Sequence, residues 1–415
     1  MVALRRQAWA KFLETPLPNR TSEEWTRTDI RGLHFETFAE TWSSRLRLPM
    51  PPAPTWQCPP PLGKEDEESF AISVEGRVGR EYLDPALAER GVLFGSLDRL
   101  LPQYGDLLRP YLFAAVDYRA DKFAALHAAC WSGGTLLYVP KGVVIERPIR
   151  LLSVLSSGGV DFGHSLIVLE EGAEATVLAG TEGPDDAAPG LHCGAVELYV
   201  GPRANLRYIS LQDWGTGVWH FAHQTAIVDR DASLQWTIGA LGSRLAKVNQ
   251  HVVLVGPGAN AEVNGVMFTE GKQHLSYHTL QHHKAPRCRS DLLYKGALQD
   301  KSRLVWRGMI KVDRDAQKTD GYQRDDNLIL SEDARADSIP GLEIEADDVK
   351  CSHAATAGRV DDDLVFYACC RGLTRKEAIR MIVAGFFQQV FDRITIESVR
   401  QALGKAIGRR IREYE

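Results

Sequence analysis

Long apolar runs are missing: no segment of the 415-residue chain approaches the ~18 consecutive apolar residues of a membrane span. Runs of Lys or Arg are missing too, and with a net charge of −5 this argues against a broad nucleic-acid surface. Cysteine is sparse and odd in number. Seven thiols scattered over so long a chain fit reduced cysteines better than a disulfide framework. The first twelve residues, Met1 to Phe12, carry charge but no apolar core and no small-residue cleavage site, so the expected location is cytoplasmic. No Walker-type glycine-rich phosphate loop occurs, so the chain is not expected to hydrolyse ATP by itself. What is present, 44% apolar and 25% charged residues, is the composition of a globular protein with room for two or three domains.

Residues 1–130 read as a mostly helical amino-terminal region. Trp9, Phe12 and Leu13 form a short apolar patch, and Thr21–Glu24 has the S/T-x-x-E form of a capping box. Seven prolines between Pro49 and Pro61 exclude a helix interior or a central strand, which predicts an exposed linker. Helical spacing returns over 84–130, with Leu97, Leu100, Leu101, Leu107, Leu108 and Tyr111. From Thr135 the pattern turns to β, beginning with Leu136–Val139.

Residues 131–356 hold an internal repeat: a branched apolar residue followed four positions later by Ala. It occurs at Leu169/Ala173, Val200/Ala204, Val228/Ala232, Val255/Ala259, Val312/Ala316 and Leu330/Ala334. The Ala-to-Ala steps are 31, 28, 27, 57 and 18 residues, the 57 being about two periods. A tight turn, a small residue and a short alternating strand at this period predict stacked coils, a β-helix-like core. The alternative is a β-sandwich whose hairpin turns look alike.

The stretch Pro340–His353 closes the array. Leu342, Ile344 and Ala346 alternate with Glu343 and Glu345 as in a half-buried strand. Parity breaks at Asp347–Asp348, where a corner is expected, and Val349, Cys351 and His353 then share a face. Residues 357–415 read as a helical domain. Asp361–Asp363 starts one helix and Arg371–Gly372 ends it. Thr374–Glu377 is a capping box opening a helix with Ile379, Ile382, Val383, Phe386, Phe387, Val390 and Phe391 on one stripe. A last helix is expected from about Thr395 to Tyr414.

Ala316–Gly321 (AQKTDG), Pro340–Ile344 (PGLEI), Ala346–His353 (ADDVKCSH), Phe366-Tyr367 and Arg371–Leu373 (RGL) resemble the SufB/SufD family of iron–sulfur cluster assembly proteins. His278-Thr279, His283, Pro286, Cys288 and Tyr138–Gly142 (YVPKG) follow the same pattern. Within the family the resemblance is closest to SufD. SufB-type chains carry a cysteine 28 residues before the shared histidine, where this chain has Asp325. Ala354 replaces the usual glycine after that histidine, and Tyr367–Gly372 (YACCRG) departs from the family at two positions.

The resemblance implies a right-handed parallel β-helix core between an amino-terminal region and a carboxy-terminal helical domain. It implies a non-catalytic scaffold subunit that pairs with a SufB-type chain through the β-helix and binds a SufC-type ATPase through its last helices. It implies a transient iron–sulfur cluster at the SufB interface, none being held permanently by this chain. Cys351 and His353 are then the candidate cluster-assembly ligands, and Arg371, Gly372, Phe386, Phe387, Val390 and Phe391 the candidate partner-binding residues. From the residues alone, two ligands do not fill a coordination shell, and a small apolar thiol beside a core histidine is the blander reading. Thiolate and imidazole do suit iron or an iron–sulfur cluster, with other ligands coming from a partner.

His274, His278 and His282 are spaced four apart, but on a strand that is about 13 Å, too far to share an ion. Inter-strand or turn hydrogen bonds are expected there. Cys369 and Cys370 on a helix are expected to divide between core and surface. A β-helix carbohydrate-active enzyme is the competing function, but its acidic candidates, Asp325-Asp326 and Asp347-Asp348, are expected at turns. An exposed strand edge also allows a homodimer of isolated chains.

Overall fold

A computed structural model describes residues 1–39, 68–183 and 187–411. The linker expected at 49–61, Cys58 and the end of the last helix beyond 411 lie outside the described residues.

The expected stacked coils are present. Successive strands alternate between two sheets of ten strands each, and every pairing is parallel except two at the amino-terminal end. The first sheet runs from Arg77–Tyr82 and Phe70–Val74 to Lys350–Arg359. The second runs from Leu93–Ser96 and Gly133–Val139 to Arg335–Ile344. Inward side chains of both sheets fill a single lumen, with Tyr208, Trp236, Tyr277, Tyr294 and Trp306 fully buried. A sandwich built of hairpins is thereby excluded.

The repeat has a backbone cause. At one corner of each coil a residue adopts positive φ: Gly142, Gly172, Arg203, Asp231, Gly258, Arg287 and Lys318. Each donates its N–H to a carbonyl of the next coil, as Arg203 does to Arg230 (2.8 Å) and Arg287 to Gln317 (2.9 Å). The following residue closes a β-turn onto the residue three before it, as Ala204 does onto Gly201 (3.0 Å) and Ala259 onto Gly256 (3.2 Å). That following side chain is forced inward, where small residues predominate: buried Ala173, Ala204, Ala232 and Ala259 follow Val143 at the first corner.

Two repeat positions move. The long step conceals Cys288, and the next member of the column is Thr319 rather than Ala316, which lies three residues earlier in the same corner. Ala334 belongs to the opposite corner, since it leads into the second-sheet strand Arg335–Ile344.

The helices include α1 (Val2–Glu14), α2 (Pro85–Glu89), α3 (Leu97–Leu108), α4 (Lys122–Cys130), α5 (Asp362–Cys370), α6 (Arg375–Phe391) and α7 (Glu397–Arg410). The amino-terminal segment covers the outer face of the second sheet through Trp25, Phe123 and Phe221, the last two rings stacked at 3.7 Å. Helices α5 to α7 cover the outer face of the first sheet around Val266, Phe268 and Leu293. The caps form as expected at Asp361 and Thr374, and Gly372 (φ 95°) ends α5.

The amino-terminal region is less helical than expected. Phe70–Val74 and Arg77–Tyr82 form a hairpin whose turn residues, Glu75 and Gly76, both have positive φ, and Leu93–Ser96 joins the second sheet. These strands cover the first coil's backbone edge. Nor does the capping box at Thr21 form. Asn19 Oδ1 instead accepts from the Thr21 amide (2.8 Å) and hydroxyl (2.5 Å), and only a 3-10 turn, Glu23–Trp25, follows.

Overfilling the corner column tests this account. Ala259→Leu should destabilise the fold by about 1–3 kcal/mol, measured by urea denaturation. The exposed Ala357→Leu should cost far less.

Candidate functional site

The stack ends abruptly at its carboxy-terminal coil. Among the described residues Arg335–Ile344 pairs only with Arg303–Val312, and Lys350–Arg359 only with Asp320–Ile329, so both present an open backbone edge. The corner expected at Asp347–Asp348 lies between these two strands. Leu342 and Ile344 are in register with the buried Ile310 and Val312 and so point toward the lumen. No further coil covers them, and they are 37% and 40% exposed rather than half-buried within a strand.

Cys351 and His353 are brought onto one face of the rim. They pair with Gly321 and Gln323, both buried lumen positions. Cys351 is half-buried against Ile310, Val312, Ala316 and Ala346. Gly321 makes that fit possible, since a Cβ there would lie 3.2 Å from the Cys351 sulfur. Burial pushes the Cys351 thiol up, Asp320 adds to the rise, and a Gly321 backbone hydrogen bond opposes it. His353 is exposed on the rim and is not a core histidine. Among the described residues no group of three or more His, Cys, Asp or Glu is placed to hold a metal ion.

A polar layer lies directly beneath the rim. Gln323 Nε2 donates to the carbonyls of Gly341 (3.0 Å) and Gly308 (3.4 Å). Asp325 Oδ2 accepts from Ser338 Oγ (2.5 Å) and Asn327 Nδ2 (2.6 Å). Burial pushes the Asp325 carboxyl up to about 7 and Asp326 adds to the rise, while those two hydrogen bonds oppose it. Asp325 and Asp326 are thus mid-strand and buried, not at a turn as expected. Their neighbours account for the placement: Asp326 on the outer face meets Arg324 (2.9 Å), Lys295 (3.6 Å) and Thr356 (2.7 Å).

The spaced histidines behave as expected of a strand. His278 Nε2 meets Lys247 Nζ on the adjacent strand (2.5 Å), and His282 Nε2 meets Asp313 (2.8 Å). His274, on the same outer face, is buried apart from them. Cys369 packs partly into the helical core and Cys370 is exposed.

Of the helical stripe expected to bind a partner, two residues lie in the core. Phe387 and Val390 are fully buried against the first sheet. Phe386 and Phe391 are partly buried there, and Lys295 Nζ lies 4.6 Å from the Phe386 ring. A stripe this apolar is consumed by the solenoid face, which the helices alone did not reveal. Arg371 is exposed and donates to the Tyr367 hydroxyl (3.0 Å). The apolar surface left open is instead Leu364, Phe366 and Tyr367 on α5 with Met381 on α6, Phe366 being 68% exposed. The signal was available: Leu364–Cys370 is apolar all round, more than one packed face of a short helix can bury.

The family model described as "SUF system FeS cluster assembly, SufBD core domain" matches residues 153–386, and "SufBD protein N-terminal region" matches residues 1–151. An "Iron-sulfur cluster assembly SufBD family protein" of Staphylococcus epidermidis is 30% identical over 338 residues, spanning 80% of this chain and 73% of its own length. Similarly described proteins of Staphylococcus saprophyticus and Staphylococcus aureus are 29% identical over the same shares.

The raised Asp325 carboxyl carries a pH signature. Its folded-state value lies above the unfolded value, so the folded chain holds its proton more tightly and loses stability as pH rises from about 4 to about 7. Asp325→Asn should shrink the stability difference between pH 5 and pH 8 by about 1–3 kcal/mol, measured by denaturant titration at both values.

Proposed function

The chain belongs to the SufBD family of SUF iron–sulfur cluster assembly proteins, and from that premise we propose that it is a non-catalytic, SufD-like scaffold subunit. The observation that carries this reading is the open rim: two unpaired strands, exposed Leu342 and Ile344, and a thiol and an imidazole on one face. A SufB-type chain would complete the edge by adding its own strands, the backbone supplying affinity and the rim side chains supplying register. Isolated chains could close the same edge by pairing with each other.

In the assembled pair, Cys351 and His353 would offer sulfur and nitrogen donors to a nascent cluster, the substrate of assembly, and the partner would complete its ligand set. Burial keeps the Cys351 thiol protonated, so a positive neighbour at the interface, iron included, would be needed to draw off its proton. A SufC-type ATPase would dock on Leu364, Phe366, Tyr367 and Met381. Helix α5 begins three residues after the strand bearing Cys351 and His353 ends. Displacement of α5 by the ATPase would therefore pull directly on the rim.

Two experiments test the reading. Co-purification with SufB- and SufC-type chains of the same source, followed by anaerobic reconstitution, should give a complex that assembles with His353→Ala but forms clusters poorly. Normal cluster formation by Cys351→Ser/His353→Ala would remove the ligand role. Separately, Phe366→Asp should weaken ATPase-subunit binding at least ~10-fold without loss of fold, read by titration calorimetry and circular dichroism. Unchanged affinity would put the docking surface elsewhere.

A further inference from the structure

One column of the lumen is polar from coil to coil. Parallel register stacks Gln224 on Gln250, Gln250 on Thr279 and Thr279 on Gly308. Their alternate neighbours Ala222, Ala226, Val248 and Val252 belong to the lumen core, so these side chains point inward. Across the lumen, the Tyr294 hydroxyl donates to Gln250 Oε1, and Gln323 Nε2 to the Gly308 carbonyl.

Three members of the column, and Gln323 across the lumen, nevertheless keep a buried atom without a protein partner: Gln224 Oε1, Gln250 Nε2, Thr279 Oγ1 and Gln323 Oε1. Trp306 Nε1 and Asp325 Oδ1 are in the same position. Gln250, Thr279, Gln323, Trp306 and Asp325 are all more than nine-tenths buried. Such atoms are uncommon in native interiors, and six of them lie along one path.

The set contains donors and acceptors together. A cation would serve only the oxygens and an anion only the N–H groups, whereas water serves both. Exchanging the amide oxygen and nitrogen of Gln250 still leaves one of them unpaired. There is also room. At one end Gln224 and Tyr277, with Thr181, Ser210 and Gln212, line an internal cavity of about 90 Å³. At ~30 Å³ per water that holds about three. At the other end Gln323 lies directly beneath His353, and Gly308 contributes no side chain, since a Cβ there would fall 2.5 Å from Gln323 Oε1.

We propose that the lumen binds a file of water seated on Gln224, Gln250, Thr279 and Gln323, leading from the cavity to the underside of the terminal coil. The site is independent of what the rim meets. A crystal structure of the full chain at a resolution that shows ordered solvent should place water within ~3.2 Å of each of these four side chains. Finding the four atoms paired with protein groups, or the lumen dry, overturns the proposal. Thr279→Val supplies a second readout. If water bridges the hydroxyl, its removal lowers the urea midpoint and raises the unfolding constant about 5-fold. If the hydroxyl is orphaned in a dry lumen, the midpoint stays or rises, which contradicts the proposal.

Discussion

The hydrogen bond from a left-handed corner residue to the coil above it is the constraint on which the rest depends. It recurs from Gly142 to Lys318, holds the parallel register of the first-sheet strands, and turns the next side chain into the lumen. Glycine accepts that backbone without strain, but Arg203, Asp231, Arg287 and Lys318 also adopt it. Their conformation is carried by the ladders on either side, which cannot keep register without it. The column of small residues, the lumen packing and the placement of every inward side chain follow from this one turn.

Stacking solves the edge problem only internally. At the amino-terminal end the hairpin of Phe70–Val74 with Arg77–Tyr82, and the strand Leu93–Ser96, close the sheets with antiparallel partners. At the carboxy-terminal end nothing of this chain does so among the described residues. The two ends therefore differ in kind: one finishes in short antiparallel strands, the other in ten-residue parallel strands with Glu343, Glu345, Asp347 and Asp348 around exposed apolar side chains. Charge discourages indiscriminate strand addition, and a partner with complementary charge would be selected. The assembly ligands proposed here sit at the open carboxy-terminal end of the lumen.

Much of this was legible in the sequence. The Ala spacing gave the coil period because the small residue is a steric demand of the corner, and parity placed Cys351 and His353 on one face because strands have a period of two. The reading failed where a different residue met the same demand: Cys288 and Thr319 are small enough for the column but break the Ala pattern, while Ala316 and Ala334 match it by composition from other positions. Paired carboxylates usually mark a turn, and Asp325-Asp326 reads so from sequence alone; tertiary partners, Ser338 and Asn327 for one and Lys295 for the other, hold them in a strand. Phe387 and Val390 drew attention as an apolar stripe, but which surface a stripe covers depends on the neighbouring sheet, which local periodicity does not contain. The exposed face of α5 was missed for the same reason.

The central claim is that the terminal coil is the partner-binding edge. Amide hydrogen exchange over Lys350–Arg359 and Arg335–Ile344, with and without the SufB-type chain of the same source, tests it most directly. The account predicts that the outward amides of these strands exchange freely in the isolated monomer and become strongly protected in the complex. A complex that forms while these amides exchange as before would contradict it.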